Sequence, residues 1–251
     1  MQVLVTTPSA LITDIDGTIS PIVARPEDAR VSPLAKAALE VLTHKLALVG
    51  VVTAREEAVA RRMVGIDGLT YVGNYALAAT ALNEASPQIE RAKALAQAEI
   101  VAMPCVTLED KGITFALHYR NCEDADLRER LLSLVQPIAA ACGLKVLEGK
   151  QVVELAPREL PDKGTAIARL AEERGIRGLV YLGDDLSDVA VFREIARRRR
   201  EDGLPGVGIA VIDAETDAAV SEAADMHLAR VAEVEALLSA IARSLEEEGR
   251  T

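Results

Sequence analysis

The sequence contains no tryptophan, and aromatic residues occupy only 2% of its 251 positions. A core for a chain of this length must therefore be built from Ala, Val, Leu and Ile, which suits helices that cover a β-sheet. No stretch approaches the roughly 18 uninterrupted apolar residues of a membrane-spanning helix, and no basic segment followed by an apolar one marks a secretory leader. We therefore expect a soluble cytoplasmic protein with no membrane partner.

Acidic residues outnumber basic ones by 39 to 28, and cysteine is scarce. The net charge is −11 and the isoelectric point about 4.9, so neither a broad nucleic-acid-binding surface nor an anionic-membrane surface is expected. The three cysteines, Cys105, Cys122 and Cys142, leave one unpaired in any scheme, and none belongs to a Cys-x-x-Cys motif. This usage predicts buried or incidental thiols in a reducing compartment.

Short apolar runs alternate with helical periods through most of the chain, which predicts an α/β fold. The pattern changes between residues 79 and 157, where a charged Ala-rich helix, a partly alternating strand, a long helix and two short strands follow one another. We therefore expect a doubly wound parallel-sheet (Rossmann-like) core formed by residues 1–78 and 158–251, with an α+β domain inserted at residues 79–157.

Two aspartates follow the first apolar run, in the segment Leu11-Ile12-Thr13-Asp14-Ile15-Asp16-Gly17-Thr18. Their i, i+2 spacing sends both side chains to one side of an extended chain, and unpaired like charges so close raise each other's pKa. A divalent cation would relieve that repulsion, and ligands in open α/β sheets lie beyond the carboxyl ends of the strands. The alternative is an Asp-Gly turn with incidental acids.

This run resembles the first motif of the haloacid dehalogenase-like (HAD) phosphatases, and three later segments resemble the remaining motifs. The resemblance implies that Asp14 is the nucleophile and Asp16 the general acid/base. Thr53 resembles the second motif, which holds the phosphoryl group, and Lys163 the third, a cation that stabilises the developing charge. The segment Gly183-Asp184-Asp185-Leu186-Ser187-Asp188 resembles the fourth motif, whose acids hold Mg²⁺.

Mg²⁺ takes octahedral oxygen ligands and keeps several waters, so it needs few protein groups. The expected ligands are the Asp14 carboxylate, the Asp16 backbone carbonyl and Asp184. Asp185 and Asp188 are expected to support these ligands without contacting the metal, or one of them is expected to contact it through water. Each motif taken singly is usually a cap, a turn or a solvated charge; their occurrence in order at strand ends and helix starts favours the HAD interpretation.

The predicted insertion adds a second, more specific resemblance. Lys111–Arg120 is similar to the cap strand of the trehalose-6-phosphate phosphatases, which ends in His-Tyr-Arg, and Val152-Val153-Glu154-Leu155 is similar to the return of that family's cap to its core. This resemblance implies a sugar phosphate as substrate and a trehalose-phosphate synthase as a candidate functional partner. The residues it implies for substrate binding are Arg55, Asn74, His118, Arg120 and Glu154.

Several alternatives remain open. Without the resemblance, Arg120 is equally well a surface charge at a strand end, and His118 is more readily a half-buried structural histidine. Tyr75 and Thr53-Ala54 depart from the family, which usually has histidine and Ser-Gly at these positions. The expected function is Mg²⁺-dependent hydrolysis of trehalose 6-phosphate; the alternatives are another glycosyl phosphate (sucrose, mannosylglycerate or glucosylglycerol phosphate) and a non-catalytic sugar-phosphate-binding module.

Overall fold

A computed structural model of the chain describes residues 2–73, 79–124 and 126–248, with the backbone alone at 79–86 and 248. The chain forms two compact units, one made of residues 1–76 and 161–251 and the other of residues 77–160. The sequence pattern places the limits of the insertion at 79 and 157. None of the described helices is both long enough and apolar enough to cross a membrane.

The described residues contain ten strands and nine α-helices. The strands are β1 Ser9–Thr13, β2 Leu48–Val52, β3 Thr70–Val72, β4 Thr107–Asp110, β5 Phe115–His118, β6 Leu144–Gly149, β7 Val152–Pro157, β8 Gly178–Gly183, β9 Gly206–Val211 and β10 Met226–Leu228. The helices are α1 Gln2–Val5, α2 Pro33–Thr43, α3 Glu57–Val64, α4 Ala79–Ile100, α5 Leu127–Cys142, α6 Lys163–Glu173, α7 Val189–Glu201, α8 Ala218–Ala223 and α9 Val231–Glu248.

The first unit is built on a six-stranded sheet of order β10-β9-β8-β1-β2-β3, in which every pair is parallel. Successive residues of a strand face opposite sides, so Leu11 packs with α2 and α9 while Ile12 packs with α6 and α7. Because both faces are covered by helices, the central strands are continuously apolar. The predicted α/β fold class with a parallel-sheet core is confirmed.

The second unit is an antiparallel sheet of order β4-β5-β7-β6. Phe115, Leu117, Val153 and Leu155 face α4 and α5 and form this unit's own apolar cluster. Strand β4 was not predicted from the sequence, because Thr107–Asp110 is a polar edge strand and edge strands commonly carry charged residues. The Ala-rich helix expected in the insertion is α4, which begins at residue 79.

The prediction of incidental thiols is wrong for two of the three cysteines. Cys105 and Cys122 form a disulfide within the second unit, with their Cα atoms 5.3 Å apart although 17 residues separate them in sequence. Cys142 is the free cysteine, and it is buried. The pairing was not predictable because it depends on the segments after α4 and after β5 lying side by side, which cysteine spacing does not reveal.

Candidate active site

The candidate site lies where the order of the parallel strands reverses. Chain connections run from β1 outward to β2 and β3, and then return to β8 on the other side of β1. Asp14 directly follows β1 and Asp184 directly follows β8, and the Asp14 amide donates a hydrogen bond of 2.8 Å to the carbonyl of Leu182. Ligands of doubly wound sheets bind at this kind of switch point.

Lys163 is the central cation of the site. Its side chain is 1% exposed, and its Nζ donates to Asp14 Oδ2 at 2.6 Å and to Asp188 Oδ1 at 2.7 Å. It is the first residue of α6, after the N-cap Asp162, whose side chain accepts from the amide of Thr165. A buried ammonium is tolerated only when it is paired. Lys163 is therefore not the solvated charge that usually begins a helix.

Asp188 is fully buried, and both of its oxygens accept hydrogen bonds. Oδ1 accepts from Lys163 Nζ and from the Tyr181 hydroxyl at 2.6 Å, while Oδ2 accepts from the amides of Asp184 at 2.8 Å and Asp185 at 2.9 Å. A carboxylate has about four lone-pair sites, so these four donors fill them. Asp188 thus anchors Lys163 and the turn that carries Asp184.

Asp16 and Arg55 form a pair at the edge of the site. The Arg55 guanidinium donates to both carboxylate oxygens of Asp16 and to the carbonyl of Pro26 at 3.1 Å. Thr53 directly follows β2 and is buried, and its hydroxyl oxygen accepts from the amide of Arg55 at 3.2 Å. The sequence resemblance assigns Arg55 to substrate binding, whereas in the structure its guanidinium contacts Asp16.

Two glycines leave the space that the carboxylates occupy. A Cβ added to Gly17, whose φ is +77°, would lie 2.0 Å from Asp184 Oδ2. A Cβ on Gly183 would lie 2.4 Å from Asp188 Cγ. Thr18, next to the first glycine, donates its hydroxyl to Asp184 Oδ1 at 3.2 Å. Gly17 and Thr18 therefore help to position the carboxylate of Asp184 as well as to form the turn.

Burial dominates the electrostatics of Asp14. It raises the pKa of Asp14 from its ordinary value of 3.8 to about 7, although the Lys163 ammonium lowers that pKa; the carboxylates of Asp188 and Asp16 raise it further. Burial, together with the negative charge of Asp188, also raises the pKa of Tyr181 well above its ordinary value. Its hydroxyl therefore keeps its proton and acts as a donor.

The donor set fits a hard divalent cation. Asp14, Asp184 and Asp188 each offer a carboxylate oxygen, and these oxygens lie within 4.8 Å of one another. Oxygen ligands of this kind suit Mg²⁺. Because the oxygens of Asp188 already accept four hydrogen bonds, the fit depends mainly on Asp14 and Asp184. The Asp185 carboxylate accepts from the amide of Leu186, where it caps a short 3-10 helix.

The remaining predicted substrate residues lie in the second unit, except Asn74, which lies outside the described residues together with the departing Tyr75. Glu154 is buried on β7, on the sheet face opposite α4 and α5, and its Oε2 accepts from Lys111 Nζ at 2.8 Å. Its Oε1 is buried without a hydrogen-bond partner among the described residues. A buried acceptor of this kind is suited to a ligand hydroxyl.

His118 and Arg120 occupy the end of β5 and the turn that follows. His118 Nε2 lies 2.7 Å from Glu109 Oε2 of the neighbouring strand, which agrees with the structural interpretation favoured by the residues alone. Arg120 donates to the carbonyl of Lys150 at 3.1 Å. Both side chains are half-buried.

Sequence reasoning missed two polar residues that the structure connects to predicted ones. Lys111, in the turn between β4 and β5, pairs with Glu154, and Tyr181 donates to Asp188. The only available signal for Tyr181 was a hydroxyl within an otherwise apolar strand, two residues before Gly183. No signal in the sequence alone pointed to the pairing of Lys111.

The sequence profile of the trehalose-phosphatase family matches residues 12–231, which contain every residue of this site. The chain belongs to the trehalose-phosphatase family. The resemblance of the motifs to those of trehalose-6-phosphate phosphatases is thus confirmed at the level of the family.

Relatives of this trehalose-phosphatase family member are longer proteins. A trehalose-phosphate phosphatase of Mycolicibacterium paratuberculosis is 34% identical over 201 residues, covering 73% of this chain and 50% of that protein. A Mycobacterium tuberculosis protein named as an uncharacterized glycosyl hydrolase is 33% identical over 222 residues, covering 80% of this chain and 16% of that protein. The chain thus spans between about a sixth and about half the length of the curated relatives it matches.

Solved structures show the same fold. The C-terminal domain of the C. albicans trehalose-6-phosphate phosphatase superposes with a TM-score of 0.81 at 21% identity, covering 96% of this chain and 94% of that one. The C-terminal domain of a Candida albicans trehalose synthase regulatory protein superposes with a TM-score of 0.70 at 12% identity, covering 95% of this chain and 96% of that one. At these identities the likeness concerns the fold alone, so the function must be argued from the side chains.

Proposed function

We propose that this chain is a Mg²⁺-dependent phosphatase that hydrolyses trehalose 6-phosphate to trehalose and phosphate. The observation that carries the proposal is the buried Lys163, held between Asp14 and Asp188 at the carboxyl ends of β1 and β8. Phosphoryl transfer depends on positioned charge around the reacting phosphorus. Burying a lysine is costly, so its presence at this place in the fold favours a role in this chemistry.

In the proposed first step, a carboxylate oxygen of Asp14 attacks phosphorus, and the bond from phosphorus to the sugar oxygen breaks. Asp16 gives a proton to the leaving sugar oxygen. In the second step, Asp16 takes a proton from water, whose oxygen attacks the phosphorus of the aspartyl-phosphate. The bond from phosphorus to the Asp14 oxygen breaks, which releases phosphate and regenerates Asp14. The Thr53 hydroxyl and the Lys163 ammonium hold the phosphoryl oxygens in both steps.

Mg²⁺ is proposed to bind the carboxylates of Asp14 and Asp184 and the backbone carbonyl of Asp16. Asp188 supports this proposal as an anchor rather than a ligand, because its oxygens already accept four hydrogen bonds. Asp185 is proposed to orient the turn or to contact the metal through water. When bound, Mg²⁺ would neutralise negative charge on the phosphoryl group.

The second unit is proposed to be the cap that recognises the sugar. Glu154 Oε1 has no hydrogen-bond partner among the described residues, which supports a role in accepting a sugar hydroxyl hydrogen. The guanidinium of Arg120 can donate to the sugar oxygens. His118 is proposed to contribute less, because it already contacts Glu109. Asn74 and Arg55 are the other residues proposed to act on the substrate, and Arg55 does so through Asp16. A trehalose-phosphate synthase is the proposed functional partner.

A second candidate is the same chemistry on another glycosyl phosphate. It is favoured by Tyr75, which stands where the family usually has histidine. A non-catalytic sugar-phosphate-binding module is the remaining alternative, and the intact set of Asp14, Asp16, Lys163 and Asp184 weighs against it.

We also propose that the protein is cytoplasmic. The Cys105–Cys122 disulfide weighs against the reducing compartment expected from cysteine usage, since disulfides persist mainly in oxidising compartments. Fractionation of the source cells with an antibody to the chain tests the location; recovery outside the cytoplasm would contradict it.

The experiment that tests the function is phosphate release from a panel of sugar phosphates, with Mg²⁺ and with EDTA. The panel contains trehalose 6-phosphate and the sucrose, mannosylglycerate and glucosylglycerol phosphates, and Asp14→Asn is the inactive control. Preference for trehalose 6-phosphate that EDTA abolishes supports the proposal. Preference for another member moves the assignment to that sugar, and ligand binding without phosphate release supports the binding module.

A further inference from the structure

We propose that Tyr181 is a positioning residue of the reaction, whose hydroxyl keeps Asp188 from drawing Lys163 away from Asp14. This inference rests on the proposed phosphatase function. It concerns a residue that touches neither the nucleophile nor the general acid/base in the proposed mechanism, and that acts through its neighbours.

Four side chains form a continuous line of hydrogen bonds. The Tyr181 hydroxyl donates to Asp188 Oδ1 at 2.6 Å, and the same oxygen accepts from Lys163 Nζ at 2.7 Å. Lys163 Nζ in turn donates to Asp14 Oδ2 at 2.6 Å. The hydroxyl and the ammonium thus share one acceptor oxygen, so the strength of one bond affects the other.

Packing alone does not require this hydroxyl. Tyr181 lies in the middle of β8, where every residue is buried, and its ring packs edge-to-face on Phe192 with the ring centroids 5.9 Å apart. Phenylalanine would supply the same ring and the same apolar contacts. Burying a hydroxyl is unfavourable unless it is bonded, so its presence here needs an explanation beyond the filling of space.

The explanation lies in the two tasks of Lys163. Its ammonium must hold Asp14 and must also stabilise the transferring phosphoryl group, so its attraction to Asp188 cannot dominate. Tyr181 donates to the oxygen that faces Lys163, while the other oxygen of Asp188 is held by two backbone amides. Without the hydroxyl, Lys163 becomes the single side-chain donor described for Oδ1, and we expect the lysine to move toward Asp188.

A purely structural role is the competing explanation, in which Asp188 merely satisfies a buried tyrosine. Tyr71 provides a matched control for it. Tyr71 is buried in the same unit, and its hydroxyl accepts from the amide of Ile66 at 3.0 Å and donates to its carbonyl at 3.1 Å. Tyr71→Phe therefore also removes a buried, hydrogen-bonded hydroxyl, but one bonded to backbone groups rather than to a carboxylate of the site.

The test compares wild type, Tyr181→Phe and Tyr71→Phe in the full chain. The measurements are kcat and KM for trehalose 6-phosphate, the Mg²⁺ concentration that gives half-maximal activity, and the melting temperature. Loss of a charge-assisted hydrogen bond predicts about a tenfold lower kcat in Tyr181→Phe, with KM and the Mg²⁺ requirement close to those of wild type. Tyr71→Phe is expected to lower the melting temperature and to leave kcat unchanged.

A kcat for Tyr181→Phe equal to that of wild type overturns the inference, and so does an equal fall in kcat for both variants. If Tyr181→Phe does not fold, 3-fluorotyrosine at position 181 replaces it, since it keeps the ring and the hydroxyl but alters the strength of the hydrogen-bond donor. An unchanged kcat then overturns the inference.

The wild-type chain separates failure of the proposed function from failure of the inference. A wild-type chain that hydrolyses no sugar phosphate overturns the proposed function and, with it, the role of Tyr181. An active wild type with an unaffected Tyr181→Phe overturns the role of Tyr181 alone.

Discussion

Asp16 and Arg55 are joined by two hydrogen bonds, from Nε to Oδ2 at 2.6 Å and from Nη2 to Oδ1 at 2.8 Å. The guanidinium is largely buried, whereas 36% of the Asp16 side chain remains exposed. A bidentate pair of this kind fixes the plane of the carboxylate as well as its position. In the proposed mechanism, Arg55 therefore orients the general acid/base.

Arg55→Lys should lower kcat more than it raises KM. Lysine supplies a single charged point where arginine supplies a planar fork, so Asp16 would lose its fixed orientation. We expect kcat to fall by about 10-fold to 100-fold, a part of the usual contribution of general acid/base catalysis. Arg61→Lys is the control, since Arg61 pairs with the exposed Glu57 on α3. A raised KM with an unchanged kcat would return Arg55 to a direct role in substrate binding.

Gly17→Ala should abolish Mg²⁺-dependent phosphate release. The new Cβ would collide with the carboxylate of Asp184, which is one of the proposed metal ligands. Gly65→Ala is the matched control, because Gly65 also has a positive φ (+66°), but among the described residues, its chain neighbours apart, no atom lies within 4 Å of its ideal Cβ. Both variants should lose roughly 1–2 kcal/mol of stability from backbone strain. Phosphate release across a Mg²⁺ titration separates them, and equal activities would contradict the steric argument.

Replacing both Cys105 and Cys122 with serine should destabilise the second unit. Opening a covalent loop that spans 17 residues costs about 3 kcal/mol in the chain-entropy description. Because the chain has no tryptophan, hydrogen exchange resolved by peptide is the suitable measurement. Peptides from residues 87–157 should exchange faster, and those of the parallel-sheet unit should not. Dithiothreitol should reproduce the effect in wild type and change nothing in the double variant; wild-type exchange that is insensitive to it would contradict the prediction.

The Lys93–Asp110 pair should give the second unit a pH-dependent stability. The hydrogen bond from Lys93, together with that from the Gly112 amide, holds the pKa of Asp110 below its ordinary value. A carboxyl whose pKa is lower in the folded state stabilises that state above its unfolded pKa, about 3.9, and this contribution is lost as the pH falls through the folded pKa.

Urea unfolding of wild type and Asp110→Asn between pH 7 and pH 3 tests this linkage. The difference in the free energy of unfolding should be constant at neutral pH and should shrink below about pH 4. Glu40→Gln, at an exposed carboxylate of α2, is the control for removal of a surface charge. A constant difference at every pH would show that the effect of Asp110 does not depend on its charge.

The elements of the core were predictable because local signals agreed with the fold. Strands β1, β2 and β8 are apolar runs that end in polar residues. Ser32 followed by Pro33 is typical of a helix start, and in the structure the Ser32 side chain accepts from the Ala35 amide as the N-cap of α2. These signals depend on residues close together in the sequence. Strand β4 and the Cys105–Cys122 disulfide depend on contacts between distant segments, and both were missed.

The proximity of three candidate site residues was predictable, but their contacts were not. The order of the motifs brought Asp14, Lys163 and Asp184 to one end of the sheet. Their pattern could not indicate that Arg55 holds Asp16, because 39 residues separate the two, or that Tyr181 shares an oxygen with Lys163. Such pairings are decided by which side chains from separate segments face each other in the folded chain. An apolar strand pattern carries little information about a single hydroxyl within it.

Lys163 occupies the first position of α6, the end at which a helix dipole favours an anion over a cation. Its placement is therefore unfavourable for the helix and depends on Asp14 and Asp188, while those buried carboxylates depend on the lysine in turn. Losing Lys163 leaves two carboxylates buried side by side without this cation, and losing either aspartate removes one of the two carboxylates that hold the buried lysine. We expect strong epistasis among these positions: lineages that abandon the chemistry must pass through less stable intermediates, so the three residues should be retained together or replaced together.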